Sequence, residues 1–477
     1  MGSVLAIDQG TSGTKAVVVD DEGAIRALAE VDLAPEYLDG GGVEQDPELL
    51  WQSVVDAGRR AVDDAGEPIA AVALANQGET VLAWDRATGR PLSSAIVWQD
   101  TRSQAVCEQR RSSAERVREL TGLVLDPYFT APKMRWLRDE VTADGVVTTT
   151  DTWLVNRLCG AFVTDASTAS RSLLYDLDAN AWSGELIDVF GLGSEELPEI
   201  VACDQAVGTT TAFGPEVPVA GLIVDQQAAL LAQRCLDPGT AKCTYGTGAF
   251  LLAQLGGAAL RSSSGLTTSV AWRVGGETSY CIDGQVYTAA SAVRWITGLG
   301  IVGSADEMDQ VAVSDTDGVL CVPALAGLAA PWWDPDASAS FTGMTLSTTR
   351  GHLVRAMLEG IAAQVAVLAG LVATDLGAGM SRLRVDGGLT RSSTLMQAQA
   401  DIAQLPVDVY PSAHATPLGV AACAQLATAP GTALEDAVIK WQPDRTYEPR
   451  WSANRAGEFL GRWNEVAALS VSAGVPA

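Results

Sequence analysis

Short apolar runs alternate along this chain with longer stretches in which apolar residues recur every three or four positions. The first pattern suits strands buried in a sheet and the second suits amphipathic helices, so the alternation predicts an α/β architecture. Val4 to Ile7 and Ala16 to Val19 are β-branched or small and apolar, and read as two strands joined by a glycine-rich turn. "DPELLWQSVVDAGRRAVDDAG", starting at Asp46, carries helical spacing. So does "RGHLVRAMLEGIAAQVAVLAGLVATDL", starting at Arg350, with Leu353, Met357, Ile361 and Leu368 near one face. Both are expected to lie against a core.

A second Gly/Thr turn, in "TAKCTYGTGAFLLAQL", sits between strand-like halves about half the chain after the first, as a degenerate duplication would place it. A third glycine turn ends the apolar strand of "LRVDGGLT", residues 383 to 390, where paired glycines allow close approach of a ligand to the backbone. With 477 residues, 47% of them hydrophobic, the chain exceeds what one core supports and should hold at least two domains. The expected boundary lies near residues 232 to 240, giving domains 1–234 and 235–477.

Charge narrows the function classes. Fifty-eight acidic against 31 basic residues give a net charge of -27, which leaves no basic face for nucleic acid or an anionic membrane, so any phosphate site must be local. The eight cysteines are scattered without metal spacing and read as reduced packing residues. The N-terminus has no basic start followed by an apolar signal core, and the most apolar stretch is interrupted by Gln364; a cytoplasmic protein is expected.

Candidate chemistry begins at the first turn. Asp8 ends an apolar run, and Thr11, Ser12, Gly13, Thr14 and Lys15 follow. Hydroxyls, free backbone N–H groups and an ammonium suit a phosphate, and the adjacent acid suits its magnesium. The plainer alternative is a hairpin whose polar residues serve only its turn. Two further trails lead nowhere. "GLGIVG", residues 298 to 303, follows the helix-like "ASAVRWIT", so a dinucleotide fingerprint lacks its strand, and the P-loop pattern is absent. The two histidines, His352 near a helix start and His414 in a loop, read as structural, which leaves base chemistry to a carboxylate. Polar residues in apolar or aromatic surroundings supply one: Gln77 and Glu79, Trp98 and Asp100, Tyr128, then Asp225 and Gln226. Asp225 ends its apolar run as Asp8 ends its own. Each could be a cap or a core amide; together they suit a small hydroxylated molecule.

At this point the chain resembles the FGGY carbohydrate kinases and, within them, the glycerol kinases. The resemblance runs through nearly the whole chain and rests on "IDQGTSGTKAVVVD", "NQGETVLAWD", "AIVWQDTR", "DPYF", "DTWL", "DQQAAL", "YGTGAFLL", "PWWDP", "VDGG" and "LMQAQADI". It implies two actin-like (ribonuclease H-like) domains closing over a cleft that binds ATP and Mg2+ beside the substrate. Carried over residue by residue, Thr11, Ser12, Gly13 and Lys15 meet the ATP phosphates, with Thr247 facing them from the other domain. Gly387 and Gly388 lie against the adenosine, with Ser392 near. Asp225 is the catalytic base, Asp8 and Asp225 are the metal carboxylates, and Gly78, Glu79, Trp98, Tyr128, Gln226 and Phe250 form the substrate pocket.

Two departures from the family's pattern bear on function. Lys15 stands where the family usually has Arg, which keeps the charge and loses the bidentate fork. Gly78 stands where glycerol kinases carry an Arg that bonds a substrate hydroxyl, so a charged donor worth about 1.5–3 kcal/mol is missing and space is left. "AFGPEVPVAG" lacks both the Arg-ended loop that binds fructose bisphosphate and the phosphorylated histidine of regulated relatives, so neither control is expected. The resulting expectation is an ATP-dependent kinase acting on a terminal hydroxyl of a small polyol, glycerol or longer, with assembly as a homodimer or higher homo-oligomer. The alternatives are a pentulose or other sugar kinase, a catalytically weak sugar-binding protein on the same fold, and a nicotinamide dehydrogenase through "GLGIVG".

Overall fold

The computed structural model describes residues 2–471. Its first large sheet holds β1 (Ser3–Gly10), β2 (Gly13–Val19), β3 (Ile25–Asp32), β4 (Ile69–Asn76), β5 (Ala206–Thr210) and β6 (Val217–Val224), in the order β5-β6-β4-β1-β2-β3. The second holds β7 (Ala241–Tyr245), β8 (Ala249–Gly256), β9 (Thr267–Val274), β10 (Glu277–Val286), β11 (Leu383–Asp386), β12 (Val407–Val409) and β13 (Arg445–Tyr447), in the order β9-β10-β8-β7-β11-β12-β13.

The duplication read from the two Gly/Thr turns is present in the pairing itself. β1 pairs antiparallel with β2 and parallel with β4, which pairs parallel with β6. β7 likewise pairs antiparallel with β8 and parallel with β11, which pairs parallel with β12. An antiparallel edge strand borders each last parallel strand, preceding it in the first half as β5 and following it in the second as β13. Both halves therefore point the carboxyl ends of their parallel strands at one crevice, where open α/β sheets bind ligands.

Helices form where the spacing places them. α1 (Pro47–Ala65) is capped by the Asp46 carboxylate, which accepts from the N–H groups of Glu48 and Leu49, and it ends at Gly66 in the left-handed conformation; these are ordinary start and stop signals. Leu50, Val54, Ala57 and Ala61 bury one face of α1 against β1, β2 and β3. Downstream come α2 (Asp225–Ala232), α3 (Ala290–Gly298), α4 (Arg350–Leu376), α5 (Ser393–Ala403) and α6 (Ala415–Thr428). α4 is long and apolar enough to cross a membrane, but 78% of its most apolar window is buried inside the protein, where it forms the centre of the second core. "GLGIVG" begins at the last residue of α3 and runs into bends, so no strand precedes it. All eight cysteines are free thiols.

One feature of the packing was not expected. α6 belongs to the second half of the sequence, yet it packs on α2, β6, β1 and β4 of the first. Closure is tight because Gly419 lies against α2: a Cβ there would collide with the Ala228 carbonyl oxygen. Replacing Gly419 by Ala should force the helices apart and lower stability by about 1–3 kcal/mol. Gly457, on the helix Ala453–Ser470 with open space at its Cβ, should gain about 0.5–1 kcal/mol as Ala. Urea unfolding of the two variants reads both signs, and a wild-type midpoint for Gly419→Ala would remove the close-packing argument.

Candidate active site

A cavity of about 260 Å³ opens between the two large sheets. Thr11 and Ser12 reach it from the end of β1, Gln77, Gly78 and Glu79 from the end of β4, and Asp225 and Gln226 from the end of β6. The second half contributes Thr244, Gly246 and Thr247 from the end of β7, Phe250 from β8 and Asp283 from β10. An inserted sheet, built of Glu36–Leu38, Gly42–Gln45, Val81–Trp84, Ala95–Ile96 and Val146–Thr149, leads into Trp98, the centre of an aromatic wall completed by Tyr128 and Phe250. Trp98 stands edge-on to Tyr128 with centroids 5.5 Å apart and to Phe250 at 5.9 Å. The Trp98 indole N–H donates to the Thr11 hydroxyl at 2.9 Å, and that hydroxyl donates to Gln77 at 3.0 Å. The single proton of Thr11 is thus used in fixing the wall, and only its backbone N–H remains as a phosphate donor.

Electrostatics single out the strand-end acids. Burial first, and the Glu79 charge second, push the Asp225 carboxyl up to about 6, opposed by Lys242. Asp8 is raised to about 7 by burial and then by Asp225. Lys15, its partner across the β1–β2 ladder, opposes that rise. Asp225 is the first residue of α2, and its carboxylate accepts from the Gln226 N–H at 2.6 Å. Beneath it the buried Lys242 ammonium donates to the Gln226 side-chain oxygen at 2.5 Å and to Thr244 at 2.8 Å, and Thr244 donates to Asp386 at 2.6 Å. The side-chain oxygen of Gln226, a residue of the cavity wall, is thereby engaged, which leaves its amide N–H groups as donors.

Glu79 is held differently. It adopts a left-handed backbone with φ 57°, an uncommon conformation for a residue with a side chain, and its carboxylate accepts from Arg171 Nε at 2.5 Å. Gly78 beside it has no positive φ, and a Cβ there would sit 3.0 Å from a Val224 methyl.

A second cavity of about 370 Å³ adjoins the first, the two sharing Gly246, Thr247 and Arg294. Gly388 and Ser392 line this second cavity, and Arg294 of α3 is exposed at the junction. Gly387 does not line it. Its φ is 95° and a Cβ would collide with the Tyr245 carbonyl oxygen, so glycine serves the approach of β11 to β7 there. Ser392 caps α5 and donates to Asp309 at 2.5 Å. Of the first turn, Lys15 lies 3.6 Å from Glu30 and Gly13 packs on Val31; neither lines a cavity. Thr14 is bonded to Ser53 of α1 and belongs to the core. The histidines lie away from both cavities, His352 closing a capping box with Thr349 and His414 preceding α6.

The sequence reading passed over four residues in these walls or beneath them: Arg171, Asp283, Lys242 and Arg294. Lys242 left a signal, an ammonium inside the strand "AKCTY", since a buried cation needs partners. Among the described residues no three His, Cys, Asp or Glu side chains form a closed metal cage. Asp8 and Asp225 alone suit a magnesium ion that takes its other ligands from phosphate and water, and such a cation would relieve the desolvation of both and the push of Asp225 on Asp8.

Comparison with known proteins agrees with this geometry. The N-terminal-domain model of the FGGY family of carbohydrate kinases matches residues 3–232, and the C-terminal-domain model matches residues 241–428. The glycerol kinase of Alkalilimnicola ehrlichii is 42% identical over 483 residues, covering 97% of each chain. Among solved structures, Plasmodium falciparum glycerol kinase with ADP is similar with a TM-score of 0.90 at 30% identity, covering 99% of each chain. A xylulose kinase from Lactobacillus acidophilus shares the fold, with a TM-score of 0.89 at 20% identity over 98% of each chain. Matched in both halves by the family's two domain models and along its length by a relative of 42% identity, the chain belongs to the FGGY family of carbohydrate kinases.

Proposed function

We propose that this kinase transfers the terminal phosphoryl group of ATP to a terminal hydroxyl of glycerol, with Asp225 as the general base. The observation that carries the reading is the position of Asp225, a half-buried carboxylate raised to about 6, in a cavity with a polar and aromatic wall that adjoins a second cavity through Gly246, Thr247 and Arg294. Glycerol is the substrate in the names of relatives that match the full length; longer polyols and pentuloses are the competing outcomes of the test below.

In this reading the polyol lies against Trp98, Tyr128 and Phe250 with hydroxyls on Glu79 and Gln226. Asp225 accepts the proton of the reacting hydroxyl as its oxygen forms a bond to the γ-phosphorus and the bond to the β-phosphate oxygen breaks, releasing ADP. Backbone N–H groups of Thr11, Ser12 and Thr247 and the Arg294 guanidinium supply positive charge to the phosphate oxygens. Gly388 keeps the nucleotide side of the crevice free of a side chain, Gly387 serves the approach of β11 to β7 behind it, and Ser392 orders α5 beneath it. Asp8 and Asp225 would hold Mg2+, which neutralises developing phosphate charge when bound. Lys15 acts through Asp8, whose carboxyl it keeps more acidic from across the ladder. The two lobes, 1–234 and 235–477 in our division, close on the bound pair and exclude water. We place the enzyme in the cytoplasm as a homo-oligomer.

An ADP-release assay with glycerol, erythritol, ribitol, xylitol and pentuloses tests the substrate. Glycerol should lead by tenfold in kcat/KM; a pentulose in that place would overturn the reading. Asp225→Asn should lower kcat by about 10²–10⁴-fold with little change in the KM for glycerol. Wild-type kcat/KM should fall as the pH drops through 6, as the base becomes protonated. Retention of more than a few per cent of kcat in Asp225→Asn, or a flat profile from pH 5 to 8, would exclude this base.

A stability effect of opposite sign follows for Asp8. Its folded pKa is raised from 3.8 to about 7, so the ligand-free fold prefers the protonated form. The resulting stability is present below about pH 4 and is lost as the pH rises toward 7. Asp8→Asn escapes that loss. Its Tm should exceed wild type by a margin that grows from pH 4 to 7 and then levels, while its activity falls. An equal Tm at pH 8 would show that Asp8 carries no such strain.

A further inference from the structure

The polyol pocket contains a cation that its motifs do not announce. Arg171 follows the short helix Ala166–Ser170 and is buried, its side chain 7% exposed. Nε donates to Glu79 at 2.5 Å, and Nη1 donates at 2.9 Å to Asp283, which comes from the other lobe. Burial raises both carboxyl pKa values and the Arg171 charge opposes that rise, so the guanidinium favours the ionised form of two interior acids. Among the described residues Nη2 makes no hydrogen bond, nor is it sealed away as a buried orphan, and Arg171 lines the cavity. A planar group whose other two nitrogens are fixed by carboxylates cannot turn away.

We propose that Arg171 determines specificity, its Nη2 donating to a non-reacting hydroxyl of the polyol and taking the place of the side chain that Gly78 lacks. The inference rests on the polyol-kinase reading. Glu79, with one oxygen on Arg171, keeps the other to accept a proton from the same or the neighbouring hydroxyl. A polyol with both hydroxyls satisfies donor and acceptor together, whereas an analogue lacking one leaves a buried charge unpaired, which is how a hydrogen-bonding site rejects it.

The test compares glycerol, propane-1,2-diol and propane-1,3-diol at saturating MgATP in wild type, Arg171→Gln and Arg171→Lys. Wild type should prefer glycerol over at least one diol by 10- to 100-fold in kcat/KM. Arg171→Gln should lose a similar factor on glycerol through KM for glycerol, keep KM for ATP within threefold, and discriminate the diols by less than threefold. Arg171→Lys retains a cation should the Gln variant fail to fold, and should discriminate at least fivefold less than wild type, because an ammonium cannot serve Glu79, Asp283 and a hydroxyl in one plane. A purely structural tie between the lobes would slow all three substrates alike, and a folded variant keeping the wild-type ratio overturns the proposal. So does a wild type that phosphorylates both diols as fast as glycerol, a result that needs no variant. Wild type inactive on every polyol but active on a pentulose would instead defeat the substrate reading beneath it.

Discussion

Burial of carboxylates at strand ends is the constraint around which the rest of this structure is arranged. Asp8 and Asp225 are both raised first by burial; the charges of Asp225 and Asp386 add to the rise of Asp8, and that of Glu79 to the rise of Asp225. Such a cluster destabilises the empty protein, and it persists because the crevice is where positive charge and phosphate are to be gathered. The compensating cations are set back from the cavity: Lys15 across the hairpin and Lys242 under Gln226. They moderate the field without filling the space that a substrate needs.

The duplicated sheet explains how those acids meet. Each half ends its parallel strands at the crevice, so residues just past β1, β4 and β6 share one cavity with those just past β7. α6 then locks the arrangement, since it packs a second-half helix onto first-half strands through Gly419 against Ala228 and brings Thr416 to within 3.4 Å of the Asp225 carbonyl oxygen. The boundary read from sequence divides the strands cleanly but not the packing, because a core cluster with residues of β1, β4, β6, β9 and α6 runs across it.

Legibility in the sequence follows the range of the interaction. The β1–β2 hairpin and helices α1 and α4 were readable to within a few residues because periodicity and caps are local. Asp225, Glu79, Trp98 and Tyr128 were noticed because a polar or aromatic residue stood out against apolar neighbours. Their gathering into one site came from the family resemblance and not from spacing. Arg171 and Asp283 gave no local sign: they sit 112 positions apart, and each becomes meaningful only when the lobes dock. Thr14 and the Thr11 hydroxyl failed in the opposite direction. Both look like phosphate ligands in a turn, and both spend their protons or lone pairs on neighbours that only the tertiary fold supplies.

The pair Gly78–Glu79 shows how far local turn chemistry can mislead. Were the glycine present to satisfy the turn, the left-handed angle would fall on it; instead Gly78 is in an ordinary region and Glu79 takes φ 57°. A side chain in that conformation costs about 1–3 kcal/mol and persists only where surroundings over-determine it. The Arg171 bond at 2.5 Å is such a surrounding. The absence of a side chain at 78 therefore needs a cause in space and not in backbone angle, and the neighbour that a Cβ would press is Val224, the residue that delivers Asp225. A larger residue at 78 would act on the strand end carrying the base, so the pocket's donor is better placed on Arg171, which reaches Glu79 from the end of the helix Ala166–Ser170 without pressing on Val224.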